Sequence, residues 1–231
     1  MVISCFAPAG INPAILDAKF LDSGVGVSGA TSFTVAGLDF GVAHADRWLL
    51  AAIASIEGSG STPTVTIGGE SASNVVSRNV TIGQNVNVSI FKALVPTGTT
   101  GDVVVTGAGL NAPSGSVGLY RVIGKTIGAT TDSSAPLASS VDVAVAAQAG
   151  DFLIAVAVSR ATSAPNVSTS VAFTGGPSED YDVDTDGQNG RSGGASYKGV
   201  PTTATVTTTA TFSGGNPSGC AMAVASLRET F

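Results

Sequence analysis

The sequence predicts an all-β protein, a jelly-roll-like β-sandwich built from two homologous half-repeats, and three observations carry that reading. The first is a stretch that occurs twice: Ala45-Asp46-Arg47-Trp48-Leu49-Leu50-Ala51-Ala52-Ile53-Ala54-Ser55 returns as Ala149-Gly150-Asp151-Phe152-Leu153-Ile154-Ala155-Val156-Ala157-Val158-Ser159. Each copy is a charged turn followed by about eight residues nearly free of polar side chains, too short for a membrane helix and suited to a strand covered on both faces. The second is that turn markers recur in the same frame. Trp48 aligns with Phe152, Pro96 with Pro201, Ile67-Gly68-Gly69 with Thr174-Gly175-Gly176, and Pro113-Ser114-Gly115 with Pro217-Ser218-Gly219. The third is that strand patterns and Gly/Pro turns alternate from end to end without a helical period.

A repeat of about 100 residues made of strands fits one sandwich whose halves are related by a pseudo-twofold axis, or two tandem immunoglobulin-like sandwiches. The unbroken apolarity of Trp48–Ile56 and Phe152–Val158 favours a single packed body, because central strands want cover on both sides. The expected divisions are an N-terminal arm at 1–25, a first repeat at 26–124, a Ser/Thr/Ala-rich linker at 125–140 and a second repeat at 141–231.

Residues 1–25 mix short apolar runs with Pro8, Gly10, Pro13 and Gly24 and have no counterpart in the second half. No Lys or Arg precedes Lys19, so the positive region of a signal peptide is missing and Met1–Gly10 reads as a strand or arm. Gly24-Val25-Gly26-Val27-Ser28-Gly29 has the spacing of a dinucleotide-binding loop. The following Thr31–Val35 alternates at period two instead of opening a helix, so a turn is expected there. Trp48–Ile56 is the first buried strand, Thr64–Ile67 closes on Gly68-Gly69, and Asn74–Ser77 is a short strand. Asn85–Ile90 alternates cleanly, with Val86, Val88 and Ile90 inward. Pro96-Thr97-Gly98 turns the chain into Asp102–Thr106, and Pro113-Ser114-Gly115 leads into Val117–Ile123. In the second half Thr203, Thr205, Thr207, Thr209 and Thr211 share one face of a strand. Ala204, Val206, Ala210 and Phe212 share the other, which makes a strand with one wet face.

Charged residues make up 11% of the 231-residue chain against about 25% in an ordinary globular protein, so few of its surfaces can be salt-bridged. Mean hydropathy is +0.37. Apolar runs nevertheless stay under about ten residues where a span needs roughly 20, and no membrane insertion is expected. A net charge of −6 with no cluster of Lys or Arg argues against nucleic acid as a partner. Cys5 and Cys220 lie near opposite ends of the chain. They could pair if the terminal strands are neighbours, while two buried free thiols suit their apolar surroundings better.

Gly150-Asp151-Phe152-Leu153-Ile154-Ala155, Glu179-Asp180-Tyr181-Asp182, Ala195-Ser196-Tyr197-Lys198-Gly199-Val200 and Ala223-Val224-Ala225-Ser226-Leu227-Arg228 together resemble the Gly/Ala/Thr-rich β-sandwich structural proteins of tailed bacteriophages and prophages. The likeness covers roughly residues 30–228 and consists of strand and turn patterns. It implies a virion component, such as a head decoration, head fibre or tail-associated protein, with capsid or tail proteins as partners. It transfers no catalytic residue and no cofactor. Residues 1–25 depart from it and suit an arm that docks on the particle. Low charge leaves sheet edges with little protection against pairing. Cover from the arm or from a neighbouring copy is therefore expected, and a homo-oligomer, by analogy a trimer, would supply it.

Chemical candidates are few. Asp182-Val183-Asp184-Thr185-Asp186-Gly187 matches the opening of a calcium loop, which makes Asp182, Asp184 and Asp186 a metal candidate. The position that needs a bidentate Glu is Gly193, so an EF-hand is excluded and a solvated acidic turn is the simpler reading. The single histidine, His44, sits in a turn and allows neither a multi-histidine metal site nor a serine triad. Glu57, Glu70, Glu179 and Asp180 lie in expected loops, and nothing pairs them for glycoside hydrolysis. The rival class is a carbohydrate-binding adhesin with a host glycan as partner. It needs exposed aromatic platforms, for which only Tyr181 and Tyr197 look available, Trp48 being expected inside.

Overall fold

Side chains of Leu49–Ile56 alternate between two cores. Leu50, Ala52, Ala54 and Ile56 face one and Leu49, Ala51 and Ile53 the other, so the strand has no wet side and no polar alternation. Phe152–Arg160 behaves alike, with Ile154, Val156 and Val158 in the first of those cores and Leu153, Ala155 and Ala157 in a third. The computed structural model describes residues 17–28, 31–57, 62–82, 84–107, 114–136, 138–161, 167–185 and 190–229; among them are sixteen strands and no helix. The expected all-β sandwich is the fold.

The first repeat contributes β1 (Asp17–Ser28), β2 (Ser32–Asp39), β3 (Trp48–Glu57), β4 (Thr64–Ile67), β5 (Glu70–Ile82), β6 (Gln84–Leu94), β7 (Thr100–Thr106) and β8 (Ser114–Ile123). A wide antiparallel sheet runs β1-β8-β3-β6-β5 and a narrow one runs β2-β7-β4, and the β1–β2 and β4–β5 pairings join them into a closed barrel. Eight strands in that order form a jelly roll. The second repeat contributes β9 (Lys125–Pro136), β10 (Ser140–Ala147), β11 (Phe152–Arg160), β12 (Ser170–Thr174), β13 (Ser178–Asp184), β14 (Gly190–Lys198), β15 (Ala204–Ser213) and β16 (Gly219–Glu229). Its sheets, β13-β14-β11-β16-β9 and β10-β15-β12, repeat the first pair strand for strand. Each repeat thus supplies a whole jelly roll, and the two pack as one body.

The wide sheets lie face to face, with β5 over β9 and β16, β3 over β11, and β1 over β13 and β14. This is the arrangement a pseudo-twofold axis between β3 and β11 requires. Four sheets are stacked with three cores between them. The middle core is made of small and β-branched residues from both repeats, among them Ala52, Ala54, Val86, Val88, Ile90, Val156, Val158, Ala221, Ala223 and Ala225. Each fully buried Val or Ile there contributes roughly 1.5–3 kcal/mol, so separating the repeats would forfeit several such terms at once. On β15, Thr205, Thr207 and Thr211 are exposed while Thr208, Ala210 and Phe212 are buried, so the predicted alternation holds toward the C-terminal end of the strand; at its start Ala204 is exposed, and Val206 and Thr209 are half-buried.

Four local expectations need correction. Residues 125–136 of the expected linker form β9, bonded to β16 from Lys125 to Pro136. The end of the expected arm, from Asp17, forms β1, while residues 1–16 lie outside the described residues. The Gly-rich stretch through Ser28 is strand and not turn: Phe33 and Val35 of β2 fill the space that side chains on Gly26 and Gly24 would need. The short strand at Asn74–Ser77 is the middle of the long β5, which carries on after β4 ends.

Candidate functional site

Polar groups converge along the seam between the wide sheets. β13 carries a β-bulge at Asp180: Glu179 pairs with Ala195 and Tyr181 with Gly194, leaving Asp180 unpaired in the ladder. A bulge re-aims side chains. Here the Asp180 carboxylate accepts hydrogen bonds from Tyr120 Oη of the other repeat at 2.9 Å and from Ser196 Oγ at 3.0 Å. Burial raises the Asp180 pKa against the opposing effect of those two donors, and burial beside that carboxylate pushes the Tyr120 phenol well up. Val75 occupies the same bulge position on β5, so the geometry belongs to both repeats and the carboxylate to one.

Tyr181 enters the seam beside it. Its ring lies over Gly118 and Gly194, where any β-carbon would overlap it, and its hydroxyl donates to the carbonyl of Ala52 at 3.4 Å. Farther along, Ser116 and Ser192 share a 2.7 Å hydrogen bond, and Ser114 donates to the carbonyl of Thr185 at 2.9 Å. At the β5–β9 end Arg78 meets Asp132 at 3.5 Å and Ser134 at 3.1 Å. These contacts orient one repeat on the other.

The calcium candidate is engaged otherwise. Asp182 pairs with Arg191 at 2.5 Å and accepts the backbone N–H of Val171 at 3.2 Å, which ties β12 to β13 where pairing is missing. Asp184 stands opposite Arg191 in the ladder, and Asp186 lies outside the described residues. In the first repeat the matching pair is Asn79 opposite Asn87, with Asn87 Nδ2 donating to Asn79 Oδ1. The acids of β13 thus have a counter-ion in Arg191 where β5 and β6 use amides. No group of three metal-ligating side chains forms among the described residues.

The other candidates scatter. Glu70 and Asp102 rim an open cleft of about 380 Å³ floored by Phe40 and Val95 in the first repeat. Glu179 lies exposed on β13 of the second, and the side chain of Glu57 is outside the described residues. His44 is a turn residue whose Nδ1 accepts the N–H of Asp46 at 3.1 Å. Tyr181, expected as a platform, is buried at 7% exposure, and Tyr197 is half-buried against the third core. Trp48, expected inside, is half-buried with Lys92 Nζ 5.1 Å above its ring. Cys220 is a buried free thiol, and Cys5 lies outside the described residues.

The duplicated turn holds a pair that composition alone does not reveal. Arg47, 0% exposed, donates to the carbonyls of Val95, Phe40, Gly41, Thr97 and Gly98 at 2.6–3.0 Å. Asp151, at the equivalent place and 1% exposed, accepts from the N–H of Gln148 and from Arg228. One repeat ties the turn with a cation and the other with an anion.

No family model and no curated protein matches the chain. Among solved structures, a conserved protein of unknown function from Pseudomonas aeruginosa PAO1 is similar over 93% of this chain and 100% of its own, at 9% identity and a TM-score of 0.31. That degree of likeness carries no argument about fold or function.

Proposed function

We propose that the chain is a non-enzymatic structural component of a phage-like particle, a head decoration, head fibre or tail-associated protein, that works by packing on the particle surface. The observation that carries this reading is the solvent face of the outer sheet β10-β15-β12. Thr205, Thr207 and Thr211 are exposed there opposite Ala146, Ala144 and Ser140, with Asp142 in the same row. Such side chains lose little rotamer entropy and shed little bound water when covered, and the stacked sheets behind them hold the face rigid. A lattice partner can therefore be added at low ordering cost.

Five of the ten Lys and Arg side chains are neutralised within the chain, by the pairs Arg78–Asp132, Arg121–Asp17, Lys125–Glu229, Arg191–Asp182 and Arg228–Asp151. This suits a surface meant for neutral contacts. The test is localisation on purified particles by immunogold labelling, together with a glycan-retention screen. Many ordered copies and no retention support decoration. Absence from particles ends the reading, and retention with few copies at a fibre tip would turn it toward an adhesin.

A further inference from the structure

The turns that join β4 to β5 and β6 to β7 enclose a cleft of about 380 Å³, at the small end of the roughly 300–1,000 Å³ in which proteins hold ligands. Phe40 and Val95, members of the first repeat's own core, lie at its bottom, and Pro96 and Thr97 form one side. The space is open. A β-carbon on Gly69 would meet nothing within 4 Å, and one on Gly98 only the Thr100 carbonyl at 3.7 Å. In the second repeat the turn between β12 and β13 is occupied from within, since a β-carbon on Gly176 would come within 2.9 Å of the Tyr197 ring. Tyr197 pairs with Leu153 as Ala93 pairs with Leu49, so the first repeat has a methyl group where the second has a phenol.

The walls are held from behind. Arg47 donates from Nε to Val95, from Nη1 to Phe40 and Gly41, and from Nη2 to Thr97 and Gly98, which places every guanidinium N–H on a carbonyl. All of these partners but Gly41 line the cleft, and on the opposite side the Gly68 N–H donates to the Asp102 carbonyl at 2.8 Å. A cleft pinned in this way needs little reordering to be filled. Arg47 also limits what can enter: it has no donor left for an anion, and the carbonyls that could ligate a metal ion already accept from it. The ionised groups at the mouth are Glu70 and Asp102, both exposed. Asp102 accepts the N–H of Gly37 at 2.9 Å, and neither carboxylate makes an ion pair among the described residues.

We propose that this cleft receives one lysine or arginine side chain of a partner protein. The alkyl stem lies along Pro96 above Phe40 and Val95, and the cationic head meets Glu70 and Asp102 at the rim, a division of apolar stem and charged tip that these two residue types carry. A net charge of −6 favours the approach of a basic surface. The contact is in the other repeat from the threonine face of β15 and is measured on the isolated chain, so it stands or falls separately from the particle role.

The intact, isotope-labelled chain is titrated with N-acetyl-lysine methylamide, N-acetyl-arginine methylamide, the neutral N-acetyl-norleucine methylamide and calcium chloride, all at equal ionic strength, and amide shifts are followed by NMR. Saturable shifts at Gly68, Gly69, Gly98 and Gly101 with one or both basic probes are expected, with the norleucine probe about fivefold weaker or worse. The combined Glu70→Gln/Asp102→Asn variant, which alters only exposed carboxylates, should weaken binding by about tenfold. Asp142→Asn, at an exposed carboxylate of the second repeat, should leave it unchanged. No shift at those glycines with either basic probe, equal binding of the norleucine probe, shifts produced by calcium alone, or undiminished binding in the combined variant overturns the assignment.

Discussion

Tyr181 of the second repeat stacks on Phe20 of the first, with ring centroids 6.0 Å apart and planes 19° apart, and fills the hollow above Gly118. The contact is possible because β8 and β14 present bare backbone at Gly118 and Gly194, so an aromatic ring reaches the sheet surface. Gly118→Ala should overpack the seam and lower stability by about 1–3 kcal/mol. Urea denaturation measures it, and an unchanged midpoint would mean that the ring has room to move aside.

Arg47 should be the most sensitive charged position in the first repeat. Arg47→Lys keeps the charge but cannot reach five carbonyls with a rigid fork, leaving buried acceptors unmade. A loss of at least about 3 kcal/mol is expected from both Arg47→Lys and Arg47→Met. Equal stability of Arg47→Lys and the unaltered protein in chemical unfolding would show that the carbonyls find other partners.

Asp180 gives stability a pH dependence whose sign follows from its raised pKa, caused first by burial. Between its unfolded and folded pKa the folded chain binds the extra proton, so this group's contribution is present at low pH and is lost as pH rises through the folded value. Asp180→Asn keeps an acceptor for Tyr120 and removes the titration. Relative to Asp180→Asn, the unaltered protein should lose stability as pH climbs from about 4 toward neutrality. Parallel stability–pH curves for the two proteins would contradict this.

Cys220 should be inert while the protein is folded. Burial pushes its thiol pKa up to about 11, against a weak contact with the carbonyl of Ala135. In a Cys5→Ser background, a disulfide reagent at pH 8 should label the remaining thiol only after denaturant is added. Rapid labelling of the native protein would mean that β9 opens readily from β16.

The repeat and the class of fold were legible because both copies of the core strand are apolar on two faces, a pattern that only a covered central strand produces. What covers them was not legible. A strand roofed by its own narrow sheet on one side and by the other repeat on the other has the same composition as the middle strand of one larger sandwich. Lys125–Pro136 looked like a linker because an edge strand beside small residues needs little hydrophobicity of its own; Ala223 and Ala225 opposite Asp132 and Thr130 ask for nothing larger. The acidic run of β13 was visible, but its counter-ion was not. Arg191 replaces Asn87 in the repeat alignment, a change that carries meaning only once the ladder sets Asp184 across from it. Asp180 could not be placed from sequence, since its aim into the seam follows from the bulge.

Ile123 and Lys125 belong to different jelly rolls, and a single residue, Gly124 at φ 69°, separates them. Two-unit chains ordinarily flex about their connector. One glycine flanked by hydrogen-bonded strands offers no pivot, so any displacement imposed on one half is handed whole to the other. A load applied at either end is met by the full stack of sheets, as by a plank and not by a pair of jointed blocks.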